Sequence, residues 1–350
     1  MTNFWQELKK KGKPIMVLAP MADVTDAAFR RIIAKYGKPD VTWTEFVSAD
    51  GLCRAQGLGK QKLLLDLLYS ESERPIVAQL FTSNPEYMYT AARLCADMGF
   101  DGIDINMGCP DKGIEKQGAG ATMIKNPKRA REVIRAAMEG AGKLPVSVKT
   151  RLGYNKDELE TWLPELLAEK PAVITVHART RKEMSKVPAR WERVKRAVEI
   201  RNELKSETLI FGNGDVLDLA DGYKKAAESG ADGVMLGRAI FGNPWLFANL
   251  KHPSHLTAFG STPSLTKEGE DLPIGKPGVF QKLSVLVEHT KLFQELLGSM
   301  KNFAIMKKHY KAYVTGFDGA GELRAKLMET TTAEQVETII QEFLSTNSQA

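Results

Sequence analysis

The sequence is poor in cysteine and histidine and contains no long apolar run. Its 350 residues include three cysteines and five histidines. So few thiols in so long a chain predict neither a disulfide framework nor a zinc knuckle. No stretch of about 18 uncharged apolar residues occurs, which argues against a membrane span. Glu7 and the scarcity of serine near the start argue against a transit peptide, so we expect a cytoplasmic protein with reduced thiols.

The charge balance is mildly basic. The chain has 49 Lys and Arg against 43 Asp and Glu, a net charge of +6. This suggests an anionic partner without identifying one, because many basic proteins bind no nucleic acid. The segment 279–350 holds eight side chains of each sign, so the whole excess lies in 1–278. Hydrophobic residues make up 43 %, enough for a folded core.

Short apolar segments alternate with amphipathic ones through the first 250 residues. The predicted strands are Ile15–Ala19, Val41–Phe46, Ile76–Phe81, Gly102–Asn106, Val146–Thr150, Val173–His177, Leu209–Gly212 and Gly233–Leu236. The predicted helices between them are Asp26–Tyr36, Pro85–Met98, Pro127–Ala141, Asp157–Ala168, Trp191–Leu204 and Leu217–Ser229.

This alternation predicts parallel strands, in either a doubly wound sheet or a barrel. A doubly wound dinucleotide fold should carry a GxGxxG turn after its first strand, and the chain has Ala19-Pro20-Met21 there. Eight strand–helix units match a (β/α)8 TIM barrel over residues 1–250, in the α/β class.

The pattern changes after residue 250. The segment 251–278 contains four prolines, in no helical pattern, and is predicted to be a linker or an irregular excursion. Helical periodicity returns at Val279, and Thr332 with Gln335 three residues later predicts a capping box at the last helix. We therefore expect a C-terminal all-α helical domain over 279–350.

Polar residues follow several predicted strands, where the active site of a TIM barrel forms. They suggest a site for a polar, anionic ligand, because barrel filling is normally aliphatic. These residues are Gln79, Asn106, Lys149, Arg151, His177 and Arg179. The turns Phe211–Asp215 and Leu236–Ala239, at strands seven and eight, either bind phosphate or are plain tight turns.

Two of these positions have alternative interpretations. Cys109 is either a small buried side chain or, because Gly108 and Pro110 hold it in a loop, a thiol able to donate a proton. His177 is either a core histidine or a ligand contact beside Lys149. No cluster has the spacing of metal ligands, so we expect no metal.

In the order of its motifs, the sequence resembles the tRNA-dihydrouridine synthases, flavoenzymes with a TIM barrel and a helical RNA-binding domain. The matching segments are Ala19–Asp26 (APMADVTD), Thr44–Ala49 (TEFVSA), Asn106–Pro110 (NMGCP), Gly118–Ala121 (GAGA), Val148–Arg151 (VKTR), His177–Arg181 (HARTR), Gly212–Asp215 (GNGD), Gly237–Arg238, Met306–Tyr310 (MKKHY) and Gly321–Arg324 (GELR).

The resemblance implies a cofactor, a reductant and roles for individual residues. FMN would bind at the barrel mouth with NADPH as reductant, and Cys109 would be the catalytic acid. The implied FMN contacts are Pro20, Met21, Gln79, Lys149 and His177 at the ring, and Asn213, Gly214, Asp215, Gly237 and Arg238 around the phosphate. Asn106 and Arg179 are candidates for holding the flipped base, and Lys307, Lys308 and Lys311 for binding tRNA in the tail.

The reaction that the resemblance implies is reduction of uridine in tRNA to 5,6-dihydrouridine. Reduced FMN would give hydride from N5 to uracil C6, and Cys109 would give a proton to C5. We expect a monomer. The modified position stays open, because Met184–Ala189 lacks the aromatic residue and glycine usual in the family at this point.

Three other functions fit parts of the sequence. A flavin barrel of the old-yellow-enzyme or dihydroorotate-dehydrogenase type would share the phosphate turns but leave the helical tail unexplained. A lyase or aldolase would use Lys149 as a Schiff-base nucleophile. An RNA-binding protein on an inactive barrel would not need Cys109, Lys149 and His177 together.

Overall fold

The computed structural model describes residues 3–248 and 278–347. The chain forms two compact units, one of Met1–Ala34 with Pro39–Ile240 and one of Lys35–Lys38 with Phe241–Ala350. The linker predicted at 251–278 lies outside the described residues except for Gly278. The predicted domain boundaries therefore stay predictions.

Eight parallel strands of the first unit form the predicted barrel. They are β1 (Ile15–Leu18), β2 (Thr42–Ser48), β3 (Ile76–Phe81), β4 (Gly102–Met107), β5 (Val146–Arg151), β6 (Val173–His177), β7 (Leu209–Asn213) and β8 (Gly233–Leu236). Hydrogen bonding runs in the order β1-β8-β7-β6-β5-β4-β3-β2. A parallel bridge between Val17 and Val41 joins the two ends of this order. The fold is thus an α/β TIM barrel, as predicted.

Helices precede β1 and follow most of the strands in this part of the chain. They are α1 (Phe4–Lys9), α2 (Ala27–Tyr36), α3 (Ala49–Arg54), α4 (Gly57–Asp66), α5 (Pro85–Asp97), α6 (Lys112–Lys116), α7 (Pro127–Ala141), α8 (Leu159–Leu167), α9 (Trp191–Glu203) and α10 (Leu219–Ser229). Six of them match predicted helices to within two residues at each end. The sequence pattern missed α1, α3, α4 and α6, which are short or, like α4, bury no side chain and so lack an apolar stripe.

The barrel interior changes from apolar to polar along the strands. At the amino end, Trp5 of α1 packs on Trp43 and Phe211, with ring centroids 5.7 and 5.6 Å apart. Val77 and Val173 belong to the same apolar cluster. Because alternate residues of a strand face the same side, the interior positions that follow are polar, and they lie at the carboxyl end.

The second unit contains α11 (Val279–Leu297), α12 (Met306–Tyr313), α13 (Ala320–Met328) and α14 (Ala333–Asn347). The capping box of α14 is confirmed: the Gln335 backbone N donates to Thr332 Oγ1, and the Thr332 backbone N donates to Gln335 Oε1, both at 3.3 Å. The described part of the tail is helical, as the periodicity predicted.

Two buried histidines of this unit should make the protein sensitive to acid. The rings of His289 and His309 are fully buried, with centroids 4.6 Å apart. Burial lowers the pKa of His309 to about 3 and that of His289 well below its ordinary value. Both rings are therefore neutral when folded, whereas an unfolded chain takes up protons below about pH 6.5.

We expect stability to be full above pH 6.5 and to fall as the pH drops toward 4. The slope should reach about 1.4 kcal/mol per pH unit for each histidine. Urea unfolding followed by circular dichroism at pH 7.0 and 5.0 measures this loss. A His289→Phe/His309→Phe variant should lose the same dependence, and an identical dependence in that variant would assign it to other groups.

Candidate active site

The strand register brings the predicted polar residues to one end of the barrel. Asn106 pairs with Lys149 across β4 and β5, and Arg151 pairs with His177 across β5 and β6. His177 in turn pairs with Asn213 of β7. Because all strands are parallel, these side chains lie around the carboxyl end, where TIM barrels carry their sites.

A buried carboxyl group organises one side of this end. Asp104 accepts hydrogen bonds from Gln79 Nε2 at 2.6 Å and from Ser147 Oγ at 2.5 Å. Asn106 Nδ2 donates to Gln79 Oε1 at 3.1 Å. Burial raises the pKa of Asp104 to about 6. Sequence reasoning missed Asp104, although its spacing of two from Asn106 places both on the interior face of β4.

The backbone around Cys109 is fixed from both sides. Asn106 Oδ1 accepts from the backbone N of Gly108 at 3.1 Å and of Cys109 at 2.9 Å. The Cys109 carbonyl accepts from Ala121 N at 2.9 Å. Gly120 has φ +61°, and a Cβ there would lie 2.7 Å from the Cys109 carbonyl oxygen, so this close approach requires glycine. Cys109 therefore occupies a built loop.

The Cys109 thiol is suited to donating a proton. It is partly buried, and burial raises its pKa above the ordinary value. It therefore stays protonated at neutral pH, as an acid must. The charges of Lys149 and Arg151 act in the opposite direction and favour the thiolate that remains after donation.

Arg151 ties the Cys109 loop to the loop after β6. Its Nε donates to the Gly108 carbonyl at 2.7 Å, and its Nη1 donates to the carbonyls of Thr180 and Met184 at 3.1 and 3.0 Å. Burial lowers the pKa of Arg151 to about 10, so the guanidinium keeps its charge at neutral pH. The sequence placed Arg151 on the site face, but nothing in its pattern indicated these carbonyl partners.

Lys149 is held by an amide on β7. Its Nζ donates to Asn213 Oδ1 at 3.3 Å, while Asn213 Nδ2 donates to the Met235 carbonyl at 2.8 Å. Burial, and next the charge of Arg151, lower the pKa of Lys149 to about 8. The ammonium form still predominates at pH 7, so Lys149 places a positive charge inside the barrel mouth.

His177 is neutral, and its tautomer follows from its neighbour. Burial, together with the charges of Arg151 and Lys149, lowers the pKa of His177 well below its ordinary value. Arg179 Nη1 lies 3.2 Å from His177 Nε2. Because a guanidinium can only donate, Nε2 is the acceptor and Nδ1 carries the proton.

Protein groups already engage the Arg179 guanidinium. Its Nε donates to the Val187 carbonyl at 2.6 Å, and its Nη2 donates to Asp215 Oδ2. Together with His177, the Arg179 guanidinium thus has three partners, which lie on β6, in the loop after β6 and after β7. The interpretation of Arg179 and Asn106 as contacts of the flipped base stays a prediction, and the structure gives both side chains protein partners.

Asp215 joins two arginines at the end of β7. Besides Arg179, Arg238 Nη2 donates to Asp215 Oδ1 at 2.8 Å, and Ala189 N donates to Asp215 Oδ2 at 2.9 Å. The hydrogen bond from Arg179 is the main cause of the lowered pKa of Asp215. The Arg238 side chain is 67 % exposed, so its guanidinium is held in place yet accessible.

The glycines of the two predicted phosphate turns differ in what requires them. Gly214 has φ +124°, and a Cβ there would lie 2.9 Å from Ala189 Cβ. Gly237 meets no such obstacle: a Cβ would find only Ala19 Cβ at 3.8 Å and Met21 Sδ at 4.0 Å. A Cβ at Gly237 would therefore fit without a clash, in ordinary contact with Ala19 and Met21, in a turn that continues into Arg238. Pro20 precedes Met21 in the chain, just after β1.

The remaining predicted residues belong to the helical unit. Lys307, Lys308 and Lys311 lie on α12; Lys308 and Lys311 are exposed, and Lys307 is partly buried. Their predicted role in binding tRNA stays a prediction.

Two features are absent from residues 3–248 and 278–347. No group of three or more His, Cys, Asp or Glu side chains in these ranges could hold a metal ion. No helix within them is long and apolar enough to cross a bilayer.

Solved structures with the same fold are remote in sequence. A 2-naphthoyl-CoA reductase in complex with 2-naphthoyl-CoA superposes with a TM-score of 0.50 at 11 % identity, covering 67 % of this chain and 49 % of that one. Histamine dehydrogenase from Rhizobium sp. 4-9 gives 0.50 at 13 % identity, covering 67 % and 45 %. At this identity the likeness extends to the fold alone.

Sequence relatives match nearly the whole chain. A "Probable tRNA-dihydrouridine synthase" of Staphylococcus aureus (strain COL) is 39 % identical over 343 residues, covering 97 % of this chain and 95 % of the relative. "Probable tRNA-dihydrouridine synthase 2" of Bacillus subtilis (strain 168) is 38 % identical, covering 97 % and 96 %. The family model for dihydrouridine synthase matches residues 17–348. The chain belongs to the dihydrouridine synthase family.

Proposed function

We propose that this protein reduces specific uridines of tRNA to 5,6-dihydrouridine, with FMN as cofactor and NADPH as reductant. The observation that carries the proposal is the barrel mouth itself. A protonated thiol on a fixed loop, Cys109, shares that mouth with the buried cation Lys149 and with the phosphate-type turns after β7 and β8. The relatives named as tRNA-dihydrouridine synthases support the substrate.

The residues at the mouth fit FMN. Gly237 leaves a space that a side chain would fill, and Arg238 is held beside it by Asp215. Anions bind well where backbone can approach closely and a guanidinium is near. The groups that would hold the phosphate are Asn213, Gly214, Asp215, Gly237 and Arg238, and those that would contact the ring are Pro20, Met21, Gln79, Lys149 and His177.

The chemistry of uracil defines what the protein must supply. The C5=C6 double bond is conjugated with the C4 carbonyl, so C6 accepts hydride and C5 then takes a proton. When bound and reduced, FMN supplies the hydride. The proton for C5 comes from the Cys109 thiol, and the positive charges of Lys149 and Arg151 stabilise the resulting thiolate.

The tRNA must present its base unstacked, because neither ring face of a stacked uracil is accessible. We infer that the helical unit contributes to tRNA binding through Lys307, Lys308 and Lys311 on α12. We also infer a monomeric, cytoplasmic enzyme. Each of these points is open to direct measurement.

Filling the space at Gly237 should weaken FMN binding and leave the fold intact. In Gly237→Val, the added side chain would occupy the space beside Met21 Sδ and Arg238. Overpacking of about 1–3 kcal/mol would weaken FMN binding roughly 5- to 150-fold. Flavin absorbance per protein and FMN titration of the apoprotein measure the loss.

Gly102→Ala is the matched control, because Gly102 begins β4 at the amino end of the barrel, where a Cβ would lie 3.2 Å from the Pro145 carbonyl oxygen. That variant should lower the unfolding temperature through packing alone. A Gly237→Val protein that binds FMN like the wild type would remove Gly237 from the cofactor site.

Two measurements test the proposed function: the flavin absorbance of the purified protein and the dihydrouridine content of treated tRNA. The purified protein should be yellow with the absorbance of a flavin, and NADPH should bleach it. Unmodified tRNA should then gain dihydrouridine. A colourless protein that neither binds FMN nor modifies tRNA would contradict the proposal, and trapping of a carbonyl compound on Lys149 would favour the lyase alternative.

A further inference from the structure

The loop between β6 and α9 presents apolar side chains to solvent at the barrel mouth. Met184 is 42 % exposed and Val187 37 %. Lys182 and Lys186, in the same loop, are also exposed. Large apolar side chains that solvent reaches at the edge of a site are typical of contact surfaces.

This loop is held in one shape by buried groups. Arg151 binds the Met184 carbonyl, and Arg179 binds the Val187 carbonyl at 2.6 Å. The Glu183 carboxylate accepts from Thr180 N at 2.7 Å and from Arg190 Nη2 at 2.9 Å. A loop fixed at so many points presents Met184 and Val187 at defined positions, which lowers the entropy cost of binding.

The loop is also joined to the helix that follows Cys109. Arg181 Nε donates to Glu115 Oε1 at 2.6 Å, and Arg181 Nη2 forms a second bond with Glu115 Oε2. Glu115 lies on α6, which also carries the exposed Lys112 and Lys116. The two segments therefore form one surface beside Cys109.

The cations of this surface fall into two groups. Arg181 and Arg190 form ion pairs with Glu115 and Glu183. By contrast, the four exposed lysines form no ion pair with any described residue. They are Lys112, Lys116, Lys182 and Lys186. Four exposed lysines outside any described ion pair favour a polyanion on this fixed surface, although Asp111, next to Lys112, is exposed too.

We propose that this surface, the rim patch, is where the barrel binds the tRNA backbone around the target uridine. The rim patch consists of Lys112, Lys116, Lys182, Lys186, Met184 and Val187. Its lysines contact phosphates of the tRNA backbone. When the uridine flips, a nucleobase leaves the stack, and Met184 and Val187 pack against that unstacked base. The inference rests on the proposed tRNA substrate, and it gives part of the positive charge carried by residues 1–278 a role.

The charge contribution is tested by neutralising the four lysines together. In Lys112→Gln/Lys116→Gln/Lys182→Gln/Lys186→Gln, we expect the tRNA Kd to rise at least about tenfold at 50 mM salt. The slope of log Kd against log salt should fall by about 3, since each phosphate contact contributes about 0.7–0.9. Fluorescence anisotropy with labelled, unmodified tRNA measures both quantities.

The matched control removes four lysines from the opposite end of the barrel. Lys10, Lys11, Lys143 and Lys205 are exposed and precede β1, β5 and β7 at their amino ends. Changing all four to Gln alters the net charge equally. We expect wild-type tRNA affinity and a nearly unchanged salt slope from this control.

The apolar contribution is tested separately with Met184→Ser/Val187→Ser. This variant keeps every charge, so we expect a KM for tRNA about fivefold higher with an unchanged salt slope. Unfolding temperature and flavin content verify that both rim variants fold.

The outcomes separate the inference from the function on which it rests. If the wild type makes no dihydrouridine, the proposed function fails. If the wild type makes dihydrouridine but the variant without the four rim lysines binds tRNA like the control variant, the rim patch does not bind the tRNA backbone. An apolar variant with wild-type KM would remove Met184 and Val187 from the contact.

Discussion

Replacing Cys109 by alanine is expected to abolish dihydrouridine formation in tRNA while FMN stays bound and is still reduced by NADPH. A positioned general acid contributes about 10²- to 10⁴-fold, so the single-turnover rate should fall by at least about 100-fold. The loop should survive the change, because the contacts of Gly108, Cys109 and Ala121 that fix it are made by the backbone and by the Asn106 side chain.

The matched control is Cys53→Ala. Cys53 is also partly exposed, but it lies on α3, and its Sγ lies 3.7 Å from the Tyr87 carbonyl of α5. This variant should keep the wild-type rate. Product formed by Cys109→Ala at the wild-type rate at pH 7 would show that another group protonates C5.

Lys149→Met should have the second largest effect. The strand β5 places two positive charges at the mouth, those of Lys149 and Arg151. Without the Lys149 charge, negative charge on a bound flavin is less well stabilised. Loss of such a preorganised charge typically lowers a rate about 10²- to 10³-fold. We expect NADPH to bleach the flavin correspondingly more slowly and the flavin reduction potential to become more negative.

A pH profile provides a second reading of Lys149. Its pKa of about 8 means that the charged form is lost as the pH rises through that value. Wild-type flavin reduction should therefore decline above about pH 8, and Lys149→Met should lack that decline. Lys143→Met, an exposed change at the amino end of the barrel, is the control and should retain it. The same decline in Lys149→Met would assign the titration elsewhere.

The barrel was predictable because each of its strands is encoded by a short stretch of neighbouring residues. Strands such as β3 and β6 are short runs of apolar residues, and their bounds were predicted to the residue. The order of the strands then follows from the rule that parallel strands joined by helices wind in one direction. The helices α3 and α4 were not predictable in this way, since α3 has only six residues and α4 buries no side chain.

The candidate site was predictable as a set of positions rather than as a network. Alternation along β5 and β6 placed Lys149 and His177 on the interior face. It could not reveal that Asp104 holds Gln79, or that Arg151 binds three carbonyls on two loops. Those contacts join residues distant in sequence, and their geometry exists only once the barrel closes.

The roles of the base-holding candidates show the same limit. The motif suggested that Asn106 and Arg179 contact the substrate. In the structure, Asn106 binds the backbone of the Cys109 loop, and Arg179 joins His177 to Asp215. A sequence motif identifies a residue that the site needs without distinguishing a group that touches the substrate from one that positions its neighbours.

The central claim is best tested by following one turnover on unmodified tRNA. The wild-type protein, loaded with FMN, would be reduced with NADPH in the absence of oxygen, mixed with the full set of tRNAs from cells that lack the gene, and quenched. Nucleoside mass spectrometry should then find dihydrouridine at defined positions, and Cys109→Ala quenched at the same time should give at most about one hundredth as much. If flavin is bound and reduced and yet no tRNA gains dihydrouridine, the protein does not reduce uridine in tRNA, and the proposed function is contradicted.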